Sequence, residues 1–294
     1  MNHTPNAPDM TTPPSAPAAE SLLIERRGPC AWVWMNRPAV HNAFDATLIA
    51  ELTRAYLALD ADADVRVIVL AGHGKSFSAG ADLNWMVQQG LASAEQNLAD
   101  ARDLAGLFRT IAMCHKPTVA RVHGAALGGG LGLAAASDIC IASPTAQFAT
   151  SEVRFGIIPA AISPYVIRAI GERQAYRYFQ TAERINAVRA HEIGLVHELA
   201  TPDELDISVQ RIVDALLLGG PLAQAAATEL IRAVANTPID AALVADTAWR
   251  IASLRATPEA RDGLQAFLDK RAPAWVAPPT HPTPPTPSTP PLEH

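Results

Sequence analysis

Two glycine-bearing stretches, Ser76-Phe77-Ser78-Ala79-Gly80-Ala81-Asp82-Leu83 and Gly124-Ala125-Ala126-Leu127-Gly128-Gly129-Gly130-Leu131-Gly132, constrain this chain more than any other feature. Each follows a β-branched apolar run, Val67-Ile68-Val69-Leu70 and Thr118-Val119-Ala120-Arg121-Val122. Each therefore sets bare backbone at the end of a strand, where the next segment turns into a helix. Two backbone N–H groups from such places can converge on one oxygen and stabilise negative charge developing there. The glycines at 128, 129 and 130 let backbone approach a ligand with no Cβ in the way. A helix starting there turns its unsatisfied N–H groups and positive dipole end toward that ligand.

Two other glycine chemistries fail on spacing. Gly74-Lys75-Ser76 resembles the end of a phosphate loop, but the glycine required five residues earlier is Val69, and no helical pattern follows Ser76. The pattern G-x-G-x-x-G of dinucleotide sites is not met around Gly128-Gly129-Gly130.

The 294 residues suffice for a large core domain and a smaller appended one. With 49% hydrophobic and 18% charged residues the composition is that of a soluble globular protein. A net charge of -6 argues against nucleic acid as a partner. No apolar run approaches the ~20 residues of a membrane-spanning helix, so no membrane partner is expected. Cys30, Cys114 and Cys140 are odd in number and lack metal-ligand spacing, which reads as reduced packing thiols in a cytoplasmic protein without a metal. Residues 1–19 are rich in Pro, Ala and Thr without a basic or apolar signal region, and are expected to be disordered. The Pro-Pro-Thr repeats of 272–294 read as a second disordered segment. Its end, Leu292-Glu293-His294, has the look of a tag remnant, with a natural end as the alternative.

Strands are expected at Leu22–Arg26, Ala31–Met35, Val65–Ala71, Thr118–Val122 and Ile139–Ala142, with a weaker one at Leu195–Leu199. Asp45 can cap a helix carrying Leu48, Leu52, Tyr56 and Leu59, and a second helix spans Ala94–Ala112 before Pro117. Strands alternating with crossover helices indicate an α/β fold with mostly parallel sheets over 20–201. Helical patterns at Glu204–Leu218, Leu222–Asn236, Ile239–Leu254 and Pro258–Arg271 make 202–271 a helical C-terminal region. That region can pack on its own core or on a neighbouring subunit.

The two glycine stretches in this order resemble the signature of the enoyl-CoA hydratase/isomerase (crotonase) superfamily. Further resemblance lies in Asn36-Arg37-Pro38-Ala39-Val40-His41-Asn42-Ala43-Phe44, Ala136-Ser137-Asp138-Ile139-Cys140-Ile141-Ala142, Phe148-Ala149-Thr150-Ser151-Glu152-Val153, Gly156-Ile157-Ile158-Pro159 and Phe267-Leu268-Asp269-Lys270-Arg271. The resemblance implies a ββα-superhelix core and an acyl-CoA thioester as substrate. No separate cofactor is implied, since coenzyme A is part of the substrate. A homotrimer or homohexamer built through 202–271 is also implied.

Carried over, the oxyanion-hole donors are the N–H groups of Ala81 and Gly129, and Glu152 is the acid/base. Arg37, Ala79, Asp82, Leu83, Gly128 and Lys270 fall in the substrate- and CoA-binding motifs, with Lys270 directed at the CoA phosphates, often across a subunit boundary. Well-studied hydratases of the family have a second glutamate two residues after the glycine triplet; here that position is Gly132. A lone glutamate is the pattern of many Δ3,Δ2-enoyl-CoA isomerases, so hydratase and isomerase both stay open, as does an acyl-CoA-binding scaffold without turnover. The segments 78–86, 128–133 and 158–166 look most like those of bacterial methylglutaconyl-CoA hydratases of leucine degradation. Arg154 is then a candidate partner for a distal substrate carboxylate, with an exposed surface arginine as the favoured reading. Trp85 and Met86 are expected in the acyl pocket or the core, Asp82 as a helix cap, and His41 and His123 as hydrogen-bonded structural residues.

Overall fold

Alternation of side chains along the central strands decides how the sheet is covered. In the computed structural model, which describes residues 20–276, the chain runs through β1 (Leu22–Arg27), β2 (Cys30–Met35), α1 (Ala46–Ala61), β3 (Val67–Gly72), α2 (Leu83–Leu91), α3 (Ala94–Ala112), β4 (Thr118–Val122), β5 (Ala125–Leu127), α4 (Gly129–Ala136), β6 (Ile139–Ala142), β7 (Gln147–Ala149), α5 (Ser163–Thr181), β8 (Ile185–Asn186), α6 (Ala187–Glu192), β9 (Glu198–Leu199), α7 (Leu205–Leu217), α8 (Pro221–Val234), α9 (Ala241–Arg255) and α10 (Pro258–Leu268). Six strands form one sheet in the order β1-β2-β3-β4-β6-β9, parallel except for β1 on β2. A second sheet, β5-β7-β8, pairs β5 with β7 in parallel and β7 with β8 antiparallel.

Both faces of the larger sheet are buried along its central strands β2, β3, β4 and β6, which is why these read as nearly continuous apolar runs, whereas the edge strand β1 buries neither face fully. Ala31, Val33, Met35, Ile68, Leu70, Ala120 and Val122 face a core shared with α1, α3, α4 and α5. The alternate residues Cys30, Trp32, Val67, Val69, Ala71 and Val119 face Leu205, Val209 and Val213 of α7. The three cysteines are buried free thiols, as expected, and burial pushes each up to about 12.

Three strands were not legible beforehand: β5, β7 and β8 hold only two or three residues each, too few to show a period. The three residues of β5 fall inside the second glycine stretch. The strand expected at Leu195–Leu199 shrinks to Glu198–Leu199, because Leu195 and Val196 donate back to the Ala190 carbonyl and close α6. The boundary at 201/202 also moves in meaning, since α7 belongs to the core. By contrast, α8 to α10 bury only Ala266 and leave Ile231, Trp249 and Phe267 65%, 67% and 84% exposed.

The expected disordered segment 1–19 lies outside the described residues, as do 277–294. Residues 272–276, expected to begin the second such segment, are instead fastened. Ala274 N–H donates to Asp262 Oδ2 at 2.7 Å and Trp275 Nε1–H to the Leu218 carbonyl at 3.0 Å. No helix among the described residues is long and apolar enough to cross a membrane.

Candidate active site

The loop between β3 and α2 is held by a buried amide. The Asn42 side chain is fully buried, and its NH2 donates to the carbonyls of His73, Ser76 and Phe77 at 2.9, 2.9 and 3.1 Å. Its Oδ1 accepts from Arg37 N–H at 2.8 Å. Ser78, also fully buried, then bridges this loop to β5: its N–H donates to Ala125 O, its carbonyl accepts from Leu127 N–H, and its hydroxyl donates to Asn42 O. The two glycine stretches are thereby zipped side by side.

Ala81 occupies a short bridge to Phe44, in which Phe44 N–H donates to Gly80 O and Asp82 N–H to Phe44 O. Successive peptide groups of extended backbone point to opposite sides, so the Ala81 N–H faces away from Phe44. Gly80 makes this approach possible: its φ is +86°, and a Cβ there would lie 2.6 Å from Leu127 O and 3.2 Å from Gly129 N. Gly129 opens α4, where N–H groups have no acceptor in their own helix. Among the described residues neither Ala81 N–H nor Gly129 N–H meets an acceptor.

Glu152 comes from a short 3-10 turn, Glu152–Phe155, at the end of the second sheet. A Cβ on Gly128 would sit 3.2 Å from Glu152 Oε1, so the missing side chain there is what lets the carboxylate lie against the second glycine stretch. Glu152 Oε2 is buried without a hydrogen-bond partner among the described residues. Burial pushes this carboxyl above its ordinary value, opposed by a smaller pull from its own backbone N–H.

Ala79, Ala81, Asp82, Leu83, Gly128, Gly129 and Glu152 all line one cavity of about 430 Å³. Its remaining wall is apolar and includes Phe44, Met86, Leu104, Phe155, Ile158 and Ile162. The only polar side chains in the lining are Asp82, Ser151 and Glu152, and among the described residues no lysine, arginine or histidine reaches it.

Two expected binding residues are elsewhere. Arg37 is occupied in holding its own loop, donating to Ala43 O at 2.6 Å and pairing with Asp45 at 2.8 Å. Lys270 lies exposed just beyond α10, away from the cavity of its own chain. Arg154 is exposed and outside the lining, in keeping with the favoured reading, and not the partner of a distal carboxylate. Met86 lines the cavity whereas Trp85 packs against the core. Asp82 caps α2, its Oδ1 accepting from Asn84 N–H at 2.9 Å and Trp85 N–H at 3.3 Å. His41 meets the Ser76 hydroxyl and His123 lies between Arg121 and Gly74 O, so both are hydrogen-bonded structural residues.

Two residues that sequence reasoning missed complete the site. Asn42 clamps the first stretch, a role hidden because its left-handed backbone (φ 54°) and the loop carbonyls its NH2 reaches, all more than thirty positions away, leave no local pattern. Ile162 fills the space in front of Gly132. A Cβ at 132 would run into both Cγ2 and Cβ of Ile162 and come within 2.9 Å of Phe108 Cε1. Gly132 is therefore part of a tightly filled apolar wall and not an empty seat.

The arrangement can bind a carbonyl oxygen between two main-chain N–H groups and move a proton at Glu152. Among the described residues there is no group of three or more His, Cys, Asp and Glu side chains placed to hold a metal. A family model described as enoyl-CoA hydratase/isomerase matches residues 25–278. The crotonyl-CoA hydratase of Syntrophomonas wolfei is 35% identical over 88% of this chain and 99% of its own length. The 2,3-dehydroadipyl-CoA hydratase of Escherichia coli is 32% identical over 86% of this chain and 97% of its own. A solved enoyl-CoA hydratase from Shewanella pealeana superposes with a TM-score of 0.85 at 42% identity, covering 87% of this chain and 96% of that one.

Proposed function

The chain belongs to the enoyl-CoA hydratase/isomerase family, and from that premise we propose that it adds water across the double bond of an enoyl-CoA thioester with one carboxyl group as acid and base. The observation that carries this reading is the placement of Glu152 against Gly128, in the same cavity as the unpaired N–H groups of Ala81 and Gly129. The thioester oxygen accepts from both N–H groups, which stabilise the enolate as water oxygen bonds to Cβ. A preorganised donor of this kind contributes about 3–4 kcal/mol to the transition state. Glu152 takes the proton of the attacking water, and the same carboxyl returns a proton to Cα, so that the elements of water are added overall. No separate cofactor enters this scheme.

The finer substrate reading is 3-methylglutaconyl-CoA, as in leucine degradation. It is supported by the motif segments 78–86, 128–133 and 158–166, and by a relative named for dehydroadipyl-CoA, whose acyl group likewise ends in a carboxylate. Among the described residues no cation lines the cavity, so that carboxylate must keep its hydration, because burying it unpaired is costly. The three buried free thiols support the cytoplasmic setting we propose.

One observation favours a second reading. A single carboxyl beside a filled wall at Gly132 is enough to carry a proton between carbons, the Δ3,Δ2-enoyl-CoA isomerase reaction. Both reactions pass through the same enolate, and two assays on purified protein separate them. Loss of enoyl absorbance with 3-methylglutaconyl-CoA or crotonyl-CoA is hydration; conversion of a 3-enoyl to a 2-enoyl thioester is isomerisation. Turnover of neither, together with tight acyl-CoA binding, would leave only a binding scaffold.

A further inference from the structure

We propose that Ile162 sets acyl-chain length, closing the inner end of the cavity because Gly132 gives its side chain somewhere to seat. The inference deepens the thioester reading and rests on it. Ile162 is 3% exposed, yet it is one of the residues that form the cavity wall. Behind it lie Gly132 and the fully buried ring of Phe108, which itself packs on Tyr165 with centroids 6.1 Å apart. Neither Gly132 nor Phe108 lines the cavity, so Ile162 is the layer between them and a ligand.

The side chain cannot retreat. Its backbone carbonyl accepts from Tyr165 N–H and Val166 N–H, both at 3.1 Å, which fixes it at the first turn of α5. Its Cβ and Cγ2 already occupy the volume that a Cβ on residue 132 would need. Most of the other wall residues, Met86, Leu104 and Ala161 among them, are apolar. Discrimination at this end is therefore by volume, where one methylene changes specificity by about 10- to 200-fold.

The geometry makes opposite predictions for two substitutions. Ile162→Ala opens the inner end toward Phe108 and Gly132. Gly132→Ala, at a residue that does not touch the cavity, pushes Ile162 inward and shortens it. The double substitution removes the collision and restores part of the depth.

The test measures kcat/KM of the full chain and these variants on crotonyl-, hexenoyl-, octenoyl- and decenoyl-CoA. Dissociation constants for the saturated thioesters of the same lengths are measured alongside by calorimetry. We expect Ile162→Ala to raise the octenoyl-to-crotonyl ratio about tenfold or more, and Gly132→Ala to lower it, with the double variant between them. Wild-type turnover with a ratio that stays within about twofold of wild type in a folded Ile162→Ala protein overturns the proposal. So does a Gly132→Ala protein that loses thermal stability while keeping the wild-type length order, since that is a purely structural effect. If Ile162→Ala fails to fold, Ile162→Val reads the same shift at smaller size. Failure of the wild-type protein to turn over any enoyl thioester sinks the hydratase and isomerase readings alone, because the binding series still reports the length order; failure to bind any of them sinks both.

Discussion

Glu152 is the residue on which the chemistry turns, and its burial has two measurable consequences. Below the unfolded value of about 4.3 the carboxyl is neutral in both states and costs nothing. As pH rises through the raised native value, the folded state must ionise a group that burial disfavours, and stability falls. Glu152→Gln is therefore expected to melt higher than wild type at pH 8 and to lose that advantage at pH 4, as thermal melts across the range will read. Activity moves the other way: the acid limb of the kcat/KM profile is expected above the ordinary glutamate range, because water attack needs the ionised form. The same Glu152→Gln protein should lose about 10²- to 10⁴-fold in rate; retention of full rate in both the hydration and isomerisation assays removes Glu152 from the mechanism. Asn42→Ala should lower stability by about 1–3 kcal/mol, since it strands buried carbonyls of the loop. It should also lower kcat, because the backbone bearing Ala81 loses its clamp. Glu152 was legible from its motif, whereas Asn42 was not, because hydrogen bonds to residues 73, 76 and 77 have no expression in the residues around 42.

Among the elements, α2 is the one that couples folding to substrate. It buries none of its residues, yet Leu83 and Met86 on it line the cavity, and Leu83, Val87 and Leu91 are 57%, 64% and 84% exposed. Its start depends on Asp82. Asp82→Ala removes the cap, at a cost of about 0.5–2 kcal/mol, and we expect KM to rise more than kcat falls, since the helix forms wall and not catalyst. A variant whose KM is unchanged while kcat falls would place Asp82 in the chemistry instead. Among the helices, α3 was readable to the residue, α1 by its cap and apolar face and α7 to α10 to within about three residues, whereas α5 was not; strands buried on both faces were readable to within two. The second sheet was not, since strands of two or three residues exist only through their partners: β5 through β7, and β7 through β8.

At the scale of the whole molecule, the unburied apolar side chains of α8, α9 and α10 have the largest consequence. Ile231, Val244, Trp249, Leu264 and Phe267 are all more than half exposed, a stripe that asks for cover. We expect light scattering to give three or six times the 31.1 kDa of one chain, and Trp249→Asp with Phe267→Asp to shift the population toward the monomer. A monodisperse wild-type monomer would defeat that expectation. Lys270 lies outside the lining of its own cavity, and we expect it to serve a CoA phosphate across such an interface, so Lys270→Ala should raise KM in the assembled protein and leave the separated monomer unchanged. The order of the longer strands, of α1, α3 and the C-terminal helices, the paired glycine stretches and the motif that holds Glu152 could be read from the chain, because each is written in neighbouring residues or in a period. The filling of the space before Gly132 by Ile162 and the engagement of Arg37 with Asp45 could not. Each depends on which side chains share a volume after folding, and no local period records that, whether the partners are near in sequence, as Arg37 and Asp45, or far, as Gly132 and Ile162.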